Sequence, residues 1–452
     1  MAAHYSLEAE CDLLALHAAQ PSRYPCLLES VVHGTASARF DILFAFPGAT
    51  LALTDLVTLH GMAVEGVDFL AQLDRWWGVE RHPEAGEQSA LPFRGGWFVY
   101  LGYELAAQIE PGLSLPAGDT GLPIAFATRI PAAIVRDHHT RRVYLVAERG
   151  SEGLLAEMRA DIAALEASPH PEPTLPAITL HEETPQMFLD GVERILHYIR
   201  EGDVFQVNLS RTWQGPARPD ISAAQLYRRL RACNPAPFAG LAMVGTSAII
   251  SSSPERLVKV TRDIIETRPI AGTQPRRENH TLDRPDTSAL LRHPKERAEH
   301  IMLIDLERND LGRVCVPGSV EVDELMSVES YAHVHHIVSS VRGRLRPATT
   351  PGAVLRAMFP GGTITGCPKV RCMEIIAELE RTPRGAYTGA MGYLNHNGDM
   401  DFNILIRTLV KTDDAISLRA GAGIVADSDP QRELEETRAK ALGLLRALEA
   451  VA

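Results

Sequence analysis

Two stretches of the sequence place paired carboxylates at helical spacing. Glu296 and Glu299 are three residues apart, and Glu433 and Glu436 repeat that spacing near the C-terminus, so each pair lies on one face of its helix. Carboxylate oxygens are the ligands that Mg²⁺ prefers, and two such helices predict a magnesium site, with Lys440 left to meet an anionic substrate. The alternative is two solvated helix faces with an ordinary Glu436–Lys440 ion pair.

A glycine-rich segment, FPGGTITGCPK at 359–369, superficially resembles a phosphate-binding loop. Cys367 and Pro368 stand where such a loop needs lysine and serine or threonine, and proline removes an N–H from the nest. We therefore reject a nucleotide-phosphate loop and keep two interpretations, a loop beside an anionic ligand and a plain tight turn.

A second glycine pattern, Gly421-Ala422-Gly423, follows a strand-like run. It fits a dinucleotide fingerprint only formally, because four residues at 427–430 intervene before the next helix. Dinucleotide binding is not expected, but the backbone N–H groups of Ala422 and Gly423 are candidates for binding a carboxylate.

The histidine cluster His333, His335 and His336 invites a zinc interpretation. In a strand His333 and His335 share one face and His336 takes the other, so three ligands from this stretch are not expected. We predict one histidine in the site and two structural ones.

Composition limits the class of protein. The 452 residues carry a net charge of −12 without a basic block, which argues against nucleic-acid binding. The first ten residues hold no apolar signal segment, and the chain has no long apolar run, so we expect no membrane span. Six scattered cysteines without CxxC spacing indicate reduced thiols and a cytoplasmic protein.

The elements that would position these residues follow from periodicity. Strand-like runs lie at 39–46, 96–103, 142–147 and 204–209, and helical patterns at 154–167, 184–200, 294–306 and 430–449. Strands and helices alternate irregularly, which predicts an α+β fold with large sheets. A proline-rich stretch divides the chain into a β-rich segment (1–167), a linker (168–180) and a catalytic core (181–452).

Taken in order, the motifs resemble the chorismate-utilising enzymes, anthranilate synthase component I and aminodeoxychorismate synthase component I. The resemblance rests on TRPIAGTQPR, KERAEHIMLIDLERNDLGR, HVHHIVSSV, FPGGTITGCPK, DFNILIRTL, GAGIVADSDP and EETRAKA, which lie between residues 267 and 441. It implies two large sheets packed face to face with helices outside, a deep cleft, Mg²⁺ and chorismate.

The resemblance also implies a role for each site residue. Glu255 would be the general acid that protonates the departing C4 hydroxyl, and burial would keep it neutral. The ring carboxylate would be held by the metal, Lys440 and the GAGIV backbone, and the enolpyruvyl carboxylate by Arg407 and Tyr393. Further pocket residues are His336, Thr273 and Thr363, and the four glutamates would surround the metal, with Glu299 and Glu436 as direct ligands.

Gln206 favours amination over hydration. Family members that add water are similar in this segment but place a lysine base there, whereas glutamine cannot deprotonate water and ammonia needs no base. The alternative is a buried glutamine that satisfies backbone groups. No glutaminase segment is visible, so ammonia is expected from a separate glutamine amidotransferase subunit.

The two aminating members are separated by few residues. The segment SARFDI at 37–42, the ITG of the glycine-rich loop, MDFNILIRTL and the chain length favour aminodeoxychorismate synthase, which forms 4-amino-4-deoxychorismate for 4-aminobenzoate and folate. Ala271 favours anthranilate synthase, because many aminodeoxychorismate synthases have PIKGT with a lysine nucleophile where this chain has PIAGT. The first is our expectation and the second its alternative.

Two segments also predict a regulatory site. The LLES segment and NPAPF at 234–238 resemble the tryptophan-sensing segments of anthranilate synthase, which predicts a tryptophan pocket from Leu28, Glu29, Ser30, Asn234, Pro235 and Phe238. A hypothesis of another class is a non-catalytic tryptophan- or chorismate-binding regulator. The complete set of acid, metal-side glutamates, Arg407 and Lys440 argues against it.

Overall fold

The computed structural model describes residues 3–7, 11–32, 39–61, 66–81, 91–167, 176–275, 294–330 and 334–449. For residues 3, 4, 7, 271–275, 294–296, 298, 299, 328–330 and 334–336 it describes the backbone alone.

Two antiparallel sheets organise the described residues. The first sheet has the order β1 (Ala3–Leu7), β9 (Arg142–Ala147), β8 (Ala132–Asp137), β3 (Phe40–Ala45), β2 (Cys26–Glu29), β12 (Phe238–Val244), β13 (Ser247–Ser253), β22 (Thr408–Lys411), β23 (Ala415–Ile424), β11 (Gln206–Pro216) and β10 (His181–Glu182), with β19 (Gly366–Cys367) also paired to β11. The second has the order β16 (Ile270–Pro275), β18 (Val334–Arg344), β15 (Ile264–Arg268), β14 (Arg256–Thr261), β21 (Met400–Ile404), β20 (Ala390–Asn395), β6 (Gly96–Leu101), β7 (Ala125–Ile130), β4 (Thr50–Asp55) and β5 (Thr58–His60), with β17 (Glu321–Ser330) also paired to β18.

The helices of the described residues lie outside these sheets. They are α1 (Leu13–Ala19), α2 (Phe69–Glu80), α3 (Ala106–Ile109), α4 (Leu154–Ala167), α5 (Pro185–Glu201), α6 (Ala223–Cys233), α7 (Pro294–Gly312), α8 (Pro351–Met358), α9 (Lys369–Glu380) and α10 (Pro430–Leu448). Short 3₁₀ turns occur at Tyr103–Leu105 and Gly362–Ile364. None of these helices combines the length and apolar character that a membrane span needs.

The core has three layers. Aromatic residues from both sheets, such as Phe44 on β3 and Phe98 on β6, fill the space between the sheets. A second apolar cluster lies between the first sheet and helices α1, α4, α6 and α10, and a third between the second sheet and α2, α7 and α8. The predicted α+β fold, with two packed sheets and outer helices, is confirmed.

Local signals fix the helices next to the cleft. Helix α5 starts with Pro185 at its first position and ends at Gly202, whose φ of 85° provides a left-handed cap. Helix α10 starts after Asp429, whose side chain accepts a hydrogen bond from the N–H of Arg432 at 2.9 Å. Helix α7 continues to Gly312, beyond the predicted end at 306, because Leu311 keeps the apolar face buried.

Strands from both sides of the proline-rich stretch share each sheet. Strand β2 pairs with β12 in the first sheet, and β6 pairs with β20 in the second. Residues 168–175 of the predicted linker lie outside the described residues, and the division into segment, linker and core stays a prediction.

Candidate active site

The chain crosses between the two sheets at two neighbouring points. Glu255 lies between β13 and β14, and Arg407 lies between β21 and β22. The crossings are joined, because the N–H of Ile404 donates to the carbonyl of Glu255 at 3.0 Å and the N–H of Ser252 donates to the carbonyl of Arg407 at 3.0 Å. Arg407 has a φ of 54°, an unusual backbone conformation for a non-glycine residue that these bonds stabilise. An acid and a cation are therefore held side by side where the chain passes between the two sheets.

Glu255 carries a buried carboxyl group that is largely shielded from solvent. It is 5% exposed, and its Oε1 has no hydrogen-bond partner among the described residues. Burial raises the pKa of Glu255 to about 7, although the Thr363 hydroxyl and the Lys440 ammonium oppose this shift. The predicted general acid is thus partly protonated near neutral pH and can donate its proton to a leaving oxygen.

Strand β23 presents bare backbone beside this acid. It pairs with β11 along its whole length, but β22 reaches only Ile416–Leu418 on its other side. From residue 419 to 424 that other edge has no strand partner among the described residues. Lys440 of α10 approaches it and donates to the carbonyl of Gly421 at 3.0 Å. This open edge belongs to the glycine segment whose backbone was predicted to bind a carboxylate of the substrate.

Alternation along the strand corrects one predicted contact. In an antiparallel pair the N–H and C=O of one residue point to the same side, and successive residues alternate. Because the carbonyl of Gly421 meets Lys440, the N–H groups of Gly421 and Gly423 face the open edge, whereas Ala422 turns toward β11. The donors at this edge are therefore Gly421 and Gly423, and the prediction of the Ala422 N–H is wrong.

Side-chain and backbone atoms approach this strand closely at both glycines. A Cβ at Gly421 would lie 2.6 Å from the Tyr387 hydroxyl and 2.7 Å from the carbonyl oxygen of Leu209. A Cβ at Gly423 would lie 2.6 Å from Nε2 of Gln206. The predicted Gln206 is buried and lies against the proposed carboxylate donors.

Arg407 has donors to spare. Its Nη1 donates to the carbonyl of Lys440 at 2.8 Å. None of the described carboxylates forms an ion pair with this guanidinium. Tyr387 is its aromatic neighbour. The two groups are close enough for the charge of each to shift the pKa of the other. Burial raises the pKa of Tyr387 to about 12, against the opposing charges of Arg384 and Arg407, so the phenol stays a hydrogen-bond donor.

Tyr393 does not accompany Arg407, contrary to the sequence prediction. Its ring packs in the layer between the sheets, with its centroid 5.8 Å from that of Phe93 and 6.4 Å from that of Phe44. The physical reason is that Tyr393 belongs to β20, in the centre of the second sheet, whereas Tyr387 precedes that strand. The sequence offers two tyrosines six residues apart, and only the position of the strand separates them.

A buried network of charged side chains packs against Tyr387. The sequence analysis did not predict this network. Glu380 bonds Arg384 at 2.6 Å and Arg419 at 2.8 Å, with the first two side chains almost fully buried. The guanidinium of Arg384 lies 5.4 Å from the centroid of the Tyr387 ring. In the sequence these charges resemble an ordinary solvated pair, and no local pattern distinguishes them.

A second buried cluster lies near the acid. Glu307 and Asp310 share one face of α7, and Lys369 at the start of α9 bonds Asp310 at 2.5 Å. Burial raises the pKa of Glu307, and the charges of Asp310 and Glu255 add to the effect while Lys369 opposes it. Glu307 lies eight residues after Glu299, so a helical wheel extended to 310 would have placed it on the face of the predicted metal ligands.

The metal side is described in part. Glu433 is buried and Glu436 bonds Lys440 at 2.6 Å, so α10 brings two carboxylates and an ammonium to one face. The side chains of Glu296 and Glu299 lie outside the described residues, although α7 is helical through both. No cluster of three potential metal ligands occurs among the side chains that are described. An all-oxygen donor set fits Mg²⁺.

His336 and Thr273 lie directly opposite each other on β18 and β16, as their backbones show. Their side chains, and the whole of His333, lie outside the described residues. The register is compatible with both residues lining one pocket, and their roles stay predictions.

Four of the six residues predicted for a tryptophan pocket lie at a separate cavity of about 400 Å³, between the sheets. Its lining includes Leu28, Glu29, Ser30 and Phe238, and also Tyr393, which had been predicted at the substrate site. Glu29 is already paired with Arg231 at 3.0 Å. Asn234 does not line this cavity, because its side chain faces α10, where a Cβ at Gly443 would lie 2.8 Å from its Oδ1. Pro235 is also absent from the lining.

Comparison with known proteins identifies the family. The model of the family described as chorismate binding enzyme matches residues 39–446. The chain is 39% identical over 450 residues to aminodeoxychorismate synthase component 1 of Bacillus subtilis, covering 95% of this chain and 93% of the relative. It is 41% identical over 433 residues to anthranilate synthase component 1 of Thermus thermophilus, covering 94% and 92%.

A solved structure shows the same fold. Anthranilate synthase component I from Streptococcus pneumoniae superimposes with a TM-score of 0.79 at 32% identity, over 92% of this chain and 94% of that one. The relatives are named for both aminating activities, so the names alone do not choose between them. The chain belongs to the chorismate-binding enzyme family and is a chorismate-utilising enzyme of the anthranilate and aminodeoxychorismate synthase type.

Proposed function

We propose that this enzyme is an aminodeoxychorismate synthase component I, which replaces the C4 hydroxyl of chorismate by an amino group. Ammonia supplies the nitrogen, and the product, 4-amino-4-deoxychorismate, leads to 4-aminobenzoate and folate. Six cysteines without a disulfide among the described residues accord with a cytoplasmic location.

The substrate is held by its two carboxylates. The ring carboxylate accepts hydrogen bonds from the N–H groups of Gly421 and Gly423 and lies near Lys440, and the enolpyruvyl carboxylate meets Arg407 and Tyr387. This pose is supported by the open edge of β23 and by the unpaired donors of Arg407. Glu255 then protonates the departing C4 oxygen, which its raised pKa favours.

The position of Gln206 is the observation that best supports an aminating function. Its amide lies against Gly423, beside the proposed ring-carboxylate donors, and an amide cannot take a proton from water. Ammonia carries its own lone pair at alkaline pH and needs no base. The residue beside the nucleophile is therefore suited to ammonia and unsuited to water.

Incubation of the chain with chorismate, Mg²⁺ and an ammonium salt tests this point. We expect an amine product, and we expect Gln206→Lys to gain isochorismate while Gln206→Met gains none. Isochorismate as the main product of the unaltered chain would refute the aminating function. Absence of any turnover would favour the alternative of a binding regulator.

Mg²⁺ is the proposed cofactor, with Glu299 and Glu436 as ligands and Glu296 and Glu433 around them. When bound, the ion would neutralise the ring carboxylate and offset the repulsion among the glutamates. We expect no turnover in EDTA and nearly none after Glu299→Gln or Glu436→Gln. Circular dichroism should show that both variants are folded, and full activity in EDTA or in either variant would contradict this cofactor.

The nitrogen is proposed to come from a separate glutamine amidotransferase subunit. This partner is supported by the designation component 1 in the names of the relatives. Free ammonia should support turnover of the isolated chain at alkaline pH, and glutamine should do so only after the partner is added. Glutamine-dependent turnover by the isolated chain would refute the separate subunit.

Anthranilate synthase is the second candidate, and Ala271 is the observation that favours it. Alanine has no nucleophile to attack C2, so ammonia itself must attack there. If the reaction stopped at that point and pyruvate left, the product would be anthranilate. A second ammonia attack at C4 would give 4-amino-4-deoxychorismate, which we prefer for the SARFDI and ITG segments.

We assign tryptophan to the cavity beside Leu28, Ser30 and Phe238 as a proposed effector. The apolar and polar lining suits an amphipathic amino acid, although the Glu29–Arg231 pair leaves Glu29 less available for its ammonium group. Calorimetry with tryptophan should detect binding that Phe238→Ala weakens, and no heat at millimolar tryptophan would exclude the effector.

A further inference from the structure

Asn208 has a buried amide oxygen without a partner. The side chain is 8% exposed, and its Oδ1 makes no hydrogen bond to any described residue. Buried polar atoms in folded proteins are almost always hydrogen-bonded, so this acceptor calls for a donor that the described residues do not supply.

The backbone on either side of this amide is held firmly. The N–H of Asn208 donates to the carbonyl of Thr365 at 2.9 Å, and its carbonyl accepts from Nη2 of Arg384 at 2.8 Å. Strand β11 is also paired with β23 through this point. The side chain therefore projects from a fixed position and cannot reach a partner by moving the strand.

The orphaned oxygen points into the cleft described above. Asn208 and Gln206 are two residues apart on one strand, so both amides emerge on the same face. A Cβ at Gly421 would lie 2.9 Å from Oδ1 of Asn208 and 2.6 Å from the Tyr387 hydroxyl. The amide oxygen thus lies between the proposed carboxylate sites, where the ring of the substrate would be.

We propose that Asn208 binds the ammonia nucleophile through this oxygen. Ammonia has three N–H donors and one lone pair, and an amide oxygen accepts an N–H without competing for the lone pair. The lone pair then stays free to attack the ring, which a protonated or hydrogen-bond-donating neighbour would prevent. This inference rests on the proposed aminating function and adds the residue that holds its second substrate.

The step balances without a further reagent. In the first displacement the nitrogen lone pair forms a bond to C2 while the C–O bond at C4 breaks, and Glu255 gives its proton to the departing oxygen to form water. In the second displacement another ammonia forms a bond to C4 while the C–N bond at C2 breaks, and the C2 nitrogen leaves as ammonia. The resulting ammonium group on the ring then loses one proton, which restores Glu255 to its acid form through solvent. Asn208 orients the ammonia throughout and carries no proton.

The test compares how one substitution at Asn208 changes the KM for ammonia and the dissociation constant of chorismate. Asn208→Leu removes the acceptor at similar volume, and loss of one hydrogen bond should raise the KM for free ammonia about tenfold. The dissociation constant of chorismate with Mg²⁺, measured without ammonia by equilibrium dialysis, should change less than twofold. Asn208→Ala provides the same comparison if the leucine variant is insoluble.

Ser210→Ala is the matched control. Ser210 lies two residues further on the same face of β11 and bonds Glu380 rather than facing the ring. It should leave the KM for ammonia within about twofold, even if the melting temperature falls because a buried hydrogen bond is lost.

An unchanged KM for ammonia in the Asn208 variants would overturn the inference. A parallel rise of the chorismate dissociation constant would also overturn it, because Asn208 would then shape the pocket in general. Product analysis separates this failure from that of the proposed function. If the unaltered chain makes anthranilate, C4 amination fails, but the role of Asn208 is still decided by the ammonia KM.

Discussion

At the scale of single residues, Glu255 links the proposed catalysis to stability. An isolated buried carboxylate is costly, and the same burial that prepares the acid destabilises the folded chain once the group ionises. Its usual pKa of 4.5 rises to about 7 in the folded protein. The contribution of Glu255 to stability is therefore fully present below pH 4.5 and is lost as the pH rises through about 7.

Glu255→Gln should consequently lower kcat and stabilise the protein at alkaline pH. We expect kcat to fall by about 10²–10⁴ because the proton donor is gone. Relative to the unaltered chain, the variant should gain about 3 kcal/mol at pH 8 and only about 1 kcal/mol at pH 5.

The measurements are a turnover assay and melting temperatures across this pH range. The ammonia concentration must be saturating in the assay, because free ammonia itself depends on pH. A melting difference that does not grow with pH would contradict the raised pKa of Glu255.

Tyr387 and Tyr393 provide a second prediction at this scale. Removing a hydroxyl that donates to a carboxylate weakens binding by about tenfold or more, so Tyr387→Phe should raise the KM for chorismate by that factor. Tyr393→Phe, in the layer between the sheets, should change it less than twofold. Steady-state kinetics of the two variants checks this, and the opposite ranking would restore the assignment of Tyr393.

Residues of the site were predictable where the family resemblance carries them, as for Glu255 and Gln206, or where helical spacing does, as for Lys440. The acid Glu255, the amide Gln206 and the cation Lys440 were identified from motif and type, and the structure brings them to one cleft. The choice between Tyr387 and Tyr393 was not predictable, because it depends on where β20 begins rather than on any property of tyrosine.

At the scale of elements, β23 determines the proposed substrate site. Its open edge supplies N–H donors, its glycines admit Tyr387 and Gln206, and α10 places Lys440 on its carbonyl. The sequence predicted the glycine strand and the helix, but it assigned the N–H of Ala422. Only the register with β11 reveals which alternate residues face outward.

Gly421→Ala and Gly423→Ala should differ in severity. The new methyl at 421 meets a backbone oxygen at 2.7 Å, which cannot move without breaking the sheet, whereas at 423 it meets the flexible end of Gln206 at 2.6 Å. We expect kcat/KM to fall by about 100-fold for the first variant and by less than about tenfold for the second. Equal losses in the two variants would show that access to the strand is not limiting.

At the scale of the whole molecule, the site is built where the two sheets exchange strands. Glu255 and Arg407 lie on separate crossings, more than 150 residues apart in the sequence and joined through Ile404 and Ser252. The two-sheet architecture could be predicted from the family resemblance and is confirmed. The joining of the crossings could not, because hydrogen bonds between distant segments leave no periodic signal in the chain.

The buried network of Glu380, Arg384 and Arg419 illustrates the same limit. All three residues are charged and would be expected at the surface. Packing of α9 and β23 around Tyr387 encloses the network instead, and mutual pairing makes its burial tolerable. Long-range packing, not residue type, decides which charges become part of the interior.

The position of the new nitrogen is the measurement that tests the central claim most directly. The chain would be incubated with chorismate, Mg²⁺ and ammonium, and the products separated by chromatography with and without the lyase that forms 4-aminobenzoate. We predict 4-aminobenzoate only when the lyase is present, and we expect Ala271→Lys to keep that product while allowing a covalent adduct to be trapped and seen by mass spectrometry. Accumulation of fluorescent anthranilate alone would contradict C4 amination and assign the chain to anthranilate synthesis.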